Sequence, residues 1–236
     1  MASVATTAAR AAKRAIDVCA SLLLMTLLSP ITLTVAALAL LTSGRPLLFC
    51  QVRAGKGGRL FPLYKFRTMT AGSGGVPLPD DARLTRLGGL LRSCSLDELP
   101  QLWNVLRGDM SLVGPRPLVA RYLDRYTPTQ ARRHEVSPGI TGLAQVRGRN
   151  RLSWEEKFDL DVWYVDNWSL GLDARILWRT VLSVLRGEGG TPMPEFWGTA
   201  QARQSPRSGD DAPPLEQRAA GITPSRRTTM REEISP

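Results

Sequence analysis

The chain has 236 residues, of which 43% are hydrophobic, and a formal net charge of +10. That length allows one ordinary domain with appendages, and that charge favours anionic partners: nucleic acid, an acidic membrane surface or phosphorylated substrates. The 3 cysteines, Cys19, Cys50 and Cys94, lie in unrelated contexts, which argues against a disulfide framework or a thiolate metal site and points to the reducing side of a membrane.

The segment Val18 to Leu41 carries no charged residue. At ~1.5 Å per residue a straight helix of this length covers the ~30 Å hydrocarbon core of a bilayer. Ser29-Pro30 lies at its midpoint, where proline removes a helical hydrogen bond and predicts a bend. Arg10, Lys13 and Arg14 precede the segment, and Arg45, Arg53, Lys56 and Arg59 follow it, so both ends favour the same side. The pattern predicts a re-entrant helical hairpin ahead of a kinked span, and a cleaved signal peptide comes further behind.

From Phe49 to Met69, apolar and aromatic residues flank the turn Gly55-Lys56-Gly57-Gly58 and predict a short β-hairpin. The turn lacks the spacing of a phosphate-binding P-loop. Thr70 to Asp81 is rich in Gly, Pro and Ser and reads as a mobile loop. Helices are predicted near Leu84–Leu91, Leu96–Leu106, Leu118–Tyr126, Thr129–His134, Ser153–Trp168 and Asp173–Leu185. Beyond Gly187 apolar residues become scarce, and the tail is expected to be disordered. Trp154, Trp163, Trp168 and Trp178 suit either helices at a headgroup boundary or an aromatic core. The single histidine, His134, lies among Arg132, Arg133 and Glu135 and is assigned no catalytic part.

The residues with the strongest chemical character cluster between Arg92 and Pro117. Ser95 followed by Glu98 forms a capping-box pattern, which by itself accounts for acidic residues in a first helical turn. The same pattern has a chemical reading. Adjacent helical positions diverge by about 100°, so Asp97 and Glu98 serve neighbouring tasks, one as a carboxylate nucleophile toward phosphorus and the other toward a divalent cation. Lys65, Arg67, Arg92 and Arg116 are the cations that would offset phosphate charge; Arg116 stands between Pro115 and Pro117.

These blocks, in order, resemble the bacterial sugar transferase family of monotopic phosphoglycosyl transferases. The resemblance runs from about Lys13 to Gly187. It rests on Lys13-Arg14-Ala-Ile-Asp17, Leu28-Ser29-Pro30, Tyr64-Lys65-Phe66-Arg67-Thr68-Met69, Leu90 to Leu106, Gly108 to Pro117, and Pro138 to Val146. It implies a membrane helix broken at Ser29 and Pro30, with Asp97 as the nucleophile that forms a phosphosugar intermediate and Glu98 beside Mg²⁺, the two carboxylates being the metal-side pair. It further implies substrate or phosphate contacts at Lys65, Arg92 and Arg116, and less directly at Asp161 and Asp173, which also read as a helix surface and a helix cap. Leu143 stands where the family pattern has Trp, and Arg147 where Asn is commoner, which leaves the acceptor or sugar end of the site open.

The expected architecture is therefore mostly α with a small β-hairpin. Residues 1–45 form a basic segment and re-entrant membrane helix. Residues 46–187 form a compact cytoplasmic α/β phosphoglycosyl transferase domain with interfacial amphipathic helices, and 188–236 form the tail. The resemblance implies a minimal catalytic unit at the inner membrane, facing the cytoplasm, that moves a sugar 1-phosphate from a UDP-sugar to undecaprenyl phosphate at the start of exopolysaccharide or glycoconjugate assembly. Membrane lipid is a further partner, and a homodimer stays open. No groove-reading or base-stacking motif favours nucleic acid. The competing reading is a membrane-anchored basic binding or scaffold module without catalysis.

Overall fold

The computed structural model describes residues 7–70, 83–148 and 151–186, together with Phe196 and Gly198. It opens with two helices, α1 (Thr7–Leu27) and α2 (Ser29–Ser43), bent by 63° where they meet. The break follows from its chemistry. Pro30 has no amide proton for the Thr26 carbonyl, and the Ser29 hydroxyl donates to that carbonyl instead, at 2.8 Å. The hydroxyls of Thr26, Thr32, Thr34 and Thr42 likewise donate to carbonyls one turn back, as suits helices with few other polar partners. Pro30→Ala is expected to straighten the pair, so that spin labels at the exposed positions Leu23 and Leu41 move apart. Neither helix alone is long and apolar enough to cross a membrane, whereas the bent pair passes that test together.

Lys13 and Arg14, ahead of this segment, find partners in the globular body. Lys13 bonds to Asp173 and to the Val113 carbonyl, at 2.6 and 3.1 Å. Arg14 donates to the carbonyls of Val105 and Leu106, at 2.6 and 2.8 Å, and so covers the end of the helix that follows the acidic pair. Buried Asp17 accepts the Leu112 amide at 3.0 Å. One face of α1 is therefore bolted to the globular body, while Leu22, Leu23 and Leu27 on the other are exposed.

The hairpin forms as expected, from β1 (Leu48–Ala54) and β2 (Leu60–Phe66), antiparallel with Cys50 opposite Tyr64. Gly57 and Gly58 take left-handed backbone in its turn, at φ 62° and 73°. The loop from 71 lies outside the described residues. Helix α3 (Arg86–Ser93) is capped by Thr85, whose hydroxyl accepts the Gly88 amide at 2.8 Å. A methyl group on Gly88 would lie 2.0 Å from the Thr68 carbonyl oxygen. Gly88→Ala is expected to push α3 off the strand end at a cost of about 1–3 kcal/mol, read by denaturant unfolding.

The helix expected over Leu96–Leu106 is two pieces: a 3₁₀ turn at Leu96–Glu98, then α4 (Gln101–Arg107). The capping box does not form, because Ser95 adopts left-handed backbone (φ 56°, ψ 20°) and its side chain makes no cap bond. Two further expected helices are mostly 3₁₀: Ala120–Arg125, and Arg132–Glu135 behind the short α5 (Pro128–Ala131). A second sheet of two parallel strands, β3 (Ser111–Val113) and β4 (Gly139–Thr141), was not anticipated. The body closes with α6 (Leu143–Arg147), α7 (Trp154–Asn167) and α8 (Leu170–Leu185). Ser153 and Glu156 cap α7 reciprocally.

The main core joins Phe61 and Leu63 of β2, Leu102 and Val105 of α4, Leu112 and Val113 of β3, Tyr164 of α7 and Ile176 of α8. A smaller cluster of Val35, Phe66 and Leu91 ties α2 to the hairpin and α3. Tryptophans divide. Trp154 and Trp168 are packed, whereas Trp163 and Trp178 are 47% and 65% exposed.

Candidate active site

The 3₁₀ turn that carries Asp97 and Glu98 is wedged between β2 and the loop after β3. Adjacent side chains diverge there as in any helix, and the two carboxylates meet opposite surroundings. Glu98 Oε1 accepts from Lys65 Nζ at 2.6 Å and from Arg116 Nη2 at 2.7 Å. Burial disfavours its charge, but the charges and hydrogen bonds of Arg116 and Lys65 outweigh burial and hold the carboxyl well below the usual range. Asp97 is 6% exposed, and among the described residues no hydrogen bond reaches its carboxylate. Burial raises its affinity for protons, with Lys65 opposing. Glu98 is thus a fixed, neutralised anion, and Asp97 is a weakly solvated, unpinned one. Neighbouring carboxylates driven apart in this way mark separate chemical roles.

The cations come from different elements. Lys65 lies on β2, whose position against α4 is set by Asn104. That side chain, fully buried, accepts the Tyr64 amide at 3.2 Å and donates to the Pro62 carbonyl at 2.8 Å. Arg92, in the last turn of α3, donates through Nε to the Thr68 hydroxyl at 3.0 Å. Arg116 is held at its backbone from both flanks. Arg133 Nη2 donates to the Arg116 carbonyl at 2.7 Å, and Arg53 Nη1 to the Pro117 carbonyl at 3.3 Å. Burial, together with neighbouring Arg116, pushes Arg53 down to about 10.

The remaining expected site residues are placed elsewhere. Asp161, 3% exposed, accepts from Arg133 Nε and Nη2 at 3.0 and 2.7 Å, so it stands behind the Arg116 loop rather than facing the acidic pair. Asp173 takes Lys13, the Tyr164 hydroxyl at 2.7 Å and the Trp168 indole at 3.0 Å, and it fastens α8 to α1. His134 donates from Nδ1 to the Gly55 carbonyl, 2.9 Å away, and pins the hairpin turn. Burial, then Arg133, pushes it down to about 4, so it is uncharged near neutral pH. Sequence reasoning missed Arg133, Arg53 and Phe196. Arg133 gives no signal in sequence, since its partner lies 28 positions away. Asn104 belonged to a recognisable block without an assigned role.

Among the described residues no three carboxylate, imidazole or thiolate side chains gather to hold a metal ion. The donor set present fits a hard cation only if phosphate oxygens complete the shell, which is the usual arrangement for Mg²⁺.

A family model described as bacterial sugar transferase matches residues 8–187. The chain is 58% identical over 179 residues to the uncharacterized sugar transferase EpsL of Bacillus subtilis (strain 168), covering 75% of this chain and 89% of that protein. It is 44% identical over 185 residues to the UDP-glucose:undecaprenyl-phosphate glucose-1-phosphate transferase of Caulobacter vibrioides, covering 73% of this chain and 69% of the relative. It is 40% identical over 196 residues to the UDP-galactose-lipid carrier transferase of Erwinia amylovora, and there it spans 41% of the relative's length.

Proposed function

The chain belongs to the bacterial sugar transferase family, and from that premise we propose that it transfers a sugar 1-phosphate from a UDP-sugar to undecaprenyl phosphate through an aspartyl phosphosugar intermediate. The observation that carries this reading is the contrast between the two carboxylates: Glu98 is pinned by Lys65 and Arg116, and Asp97 beside it is buried and unpinned.

In the first half-reaction an Asp97 oxygen attacks the phosphorus bonded to the sugar. The bond to the departing UMP oxygen breaks, and the phosphosugar becomes an acyl phosphate on Asp97. In the second, an undecaprenyl phosphate oxygen attacks the same phosphorus and the Asp97 carboxylate is regenerated. Lys65 and Arg116, already fixed on Glu98, lie where charge develops on the phosphoryl oxygens and need no rearrangement to stabilise it. Among the described residues Arg92 is held through Nε alone, which leaves its terminal nitrogens for phosphate. A Mg²⁺ ion held by Asp97 or Glu98 with the diphosphate would supply further charge neutralisation.

The lipid substrate requires a place at the bilayer. The bent α1–α2 pair, apolar along most of its length, would enter one leaflet and return. Trp178, Val181 and Leu185 form an exposed stripe on α8 at 65%, 51% and 78%, with the spacing of one helical face, and would rest at the headgroup boundary. The basic flanks support the reading of a catalytic body on the cytoplasmic side of the inner membrane. The test is incubation of the full chain with undecaprenyl phosphate, Mg²⁺ and a panel of UDP-sugars. UMP release with at least one of them is expected, and release with none from a folded sample refutes the reading.

A further inference from the structure

Phe196 lies beyond α8 and beyond the residues that the family model matches, yet it is only 2% exposed. Its ring fills a recess between the Ala120–Arg125 turn and α7. The centroids of Phe158, Trp154, Tyr122 and Tyr126 lie 5.0, 5.4, 5.6 and 6.0 Å away. The backbone is tied as well: the Phe196 amide donates to the Tyr122 hydroxyl at 3.0 Å, and Arg125 donates to its carbonyl. Aromatic clusters with edge and offset contacts gain energy beyond their buried area.

The far wall of this recess is the support of the active site. The guanidinium of Arg133 lies over the rings of Phe158 and Tyr126, at 5.5 and 5.8 Å. Its Nη1 donates to the Tyr126 hydroxyl at 3.2 Å, and its Nη2 holds the Arg116 carbonyl. Tyr126 therefore stacks on Phe196 with its ring and orients Arg133 with its hydroxyl. Emptying the recess would admit water to Phe158, now 1% exposed, and to the Arg133–Asp161 pair, whose strength depends on being dry.

We propose that Phe196 is a positioning residue: by filling the aromatic recess it keeps Tyr126 and Phe158 against Arg133, and through Arg133 it fixes the backbone that presents Arg116 to Glu98. The inference rests on the transferase reading for its kinetic consequence and on geometry alone for its structural one. Phe196 is thereby part of the catalytic unit.

The test uses the full chain in lipid nanodiscs, with hydrogen exchange and turnover measured side by side. Phe196→Ala is expected to speed exchange at the Gly139 amide, which donates to the Pro115 carbonyl next to Arg116, while the Tyr64 amide on β2 stays as protected as before. Turnover with UDP-sugar should fall about tenfold, a size typical of coupling through packed side chains. Phe196→Tyr should restore both readouts. Combined with Arg116→Ala, the Phe196→Ala change should add little further loss, since both act through the same cation. Where Phe196→Ala lowers folded yield, Phe196→Leu is read on the same scales with a smaller loss expected. Unchanged exchange at Gly139, or losses that multiply fully in the double variant, overturn the proposal. If the unaltered chain releases no UMP, the transferase reading falls, and the exchange result still decides whether Phe196 braces this loop.

Discussion

Asp97→Asn is expected to remove turnover by at least about 10³-fold and to abolish transfer of a radiolabelled sugar phosphate onto the protein, with the fold intact. Asn matches Asp in shape, and no hydrogen bond among the described residues depends on the charge at this position, so unfolding curves should change little. What disappears is the anionic oxygen. A carboxylate with little water and no hydrogen-bond donor is a stronger nucleophile than a solvated one, because less stabilisation is lost when its charge moves onto phosphorus. Glu98 cannot stand in. Lys65 and Arg116 both hold its Oε1, and an attack by Glu98 would take away the negative charge that they stabilise. Glu98→Gln is therefore expected to weaken turnover while still allowing a labelled intermediate to accumulate. Labelling of the Asp97→Asn protein at the normal rate would move the nucleophile elsewhere.

The candidate site was legible wherever its residues are neighbours in sequence, and illegible wherever it is assembled across the chain. Asp97 and Glu98 are adjacent, and Arg116 is marked by its flanking prolines, so their types and order already carried the resemblance. Their surroundings were not visible. Ser95 and Glu98 satisfy the pattern of a capping box, yet Ser95 adopts left-handed backbone, and Glu98 bonds to cations from β2 and from the loop after β3 instead. Tertiary charge outcompeted a local cap. The bend at Ser29-Pro30 and the hairpin were readable because proline and paired glycines act on their own backbone. β3 and β4 were not, since three-residue strands leave no period to detect and their pairing joins residues far apart in sequence. Composition averaged over the tail concealed Phe196, although one aromatic ring suffices once a recess exists for it.

The buried pair behind Arg116 yields the second large effect, and it separates holding the fold from placing a cation. Arg133 and Asp161 are 3% exposed each, so removing either one strands a charge where water cannot reach it. Asp161→Ala is expected to cost about 3–5 kcal/mol in unfolding free energy, the usual penalty for breaking a buried ion pair from one side. Replacing both, Arg133→Met with Asp161→Leu, removes both desolvated charges and keeps apolar volume. Much of the stability should then return, as it does when buried pairs give way to packed hydrophobic residues. Activity should not return with it. Methionine has no proton to donate to the Arg116 carbonyl or to the Tyr126 hydroxyl, and those bonds set where the Arg116 side chain meets Glu98. Denaturant curves and UMP release on the single and double variants read the two effects independently. Recovery of both together would mean that Asp161 and Arg133 serve stability alone, and that Arg116 finds Glu98 without them.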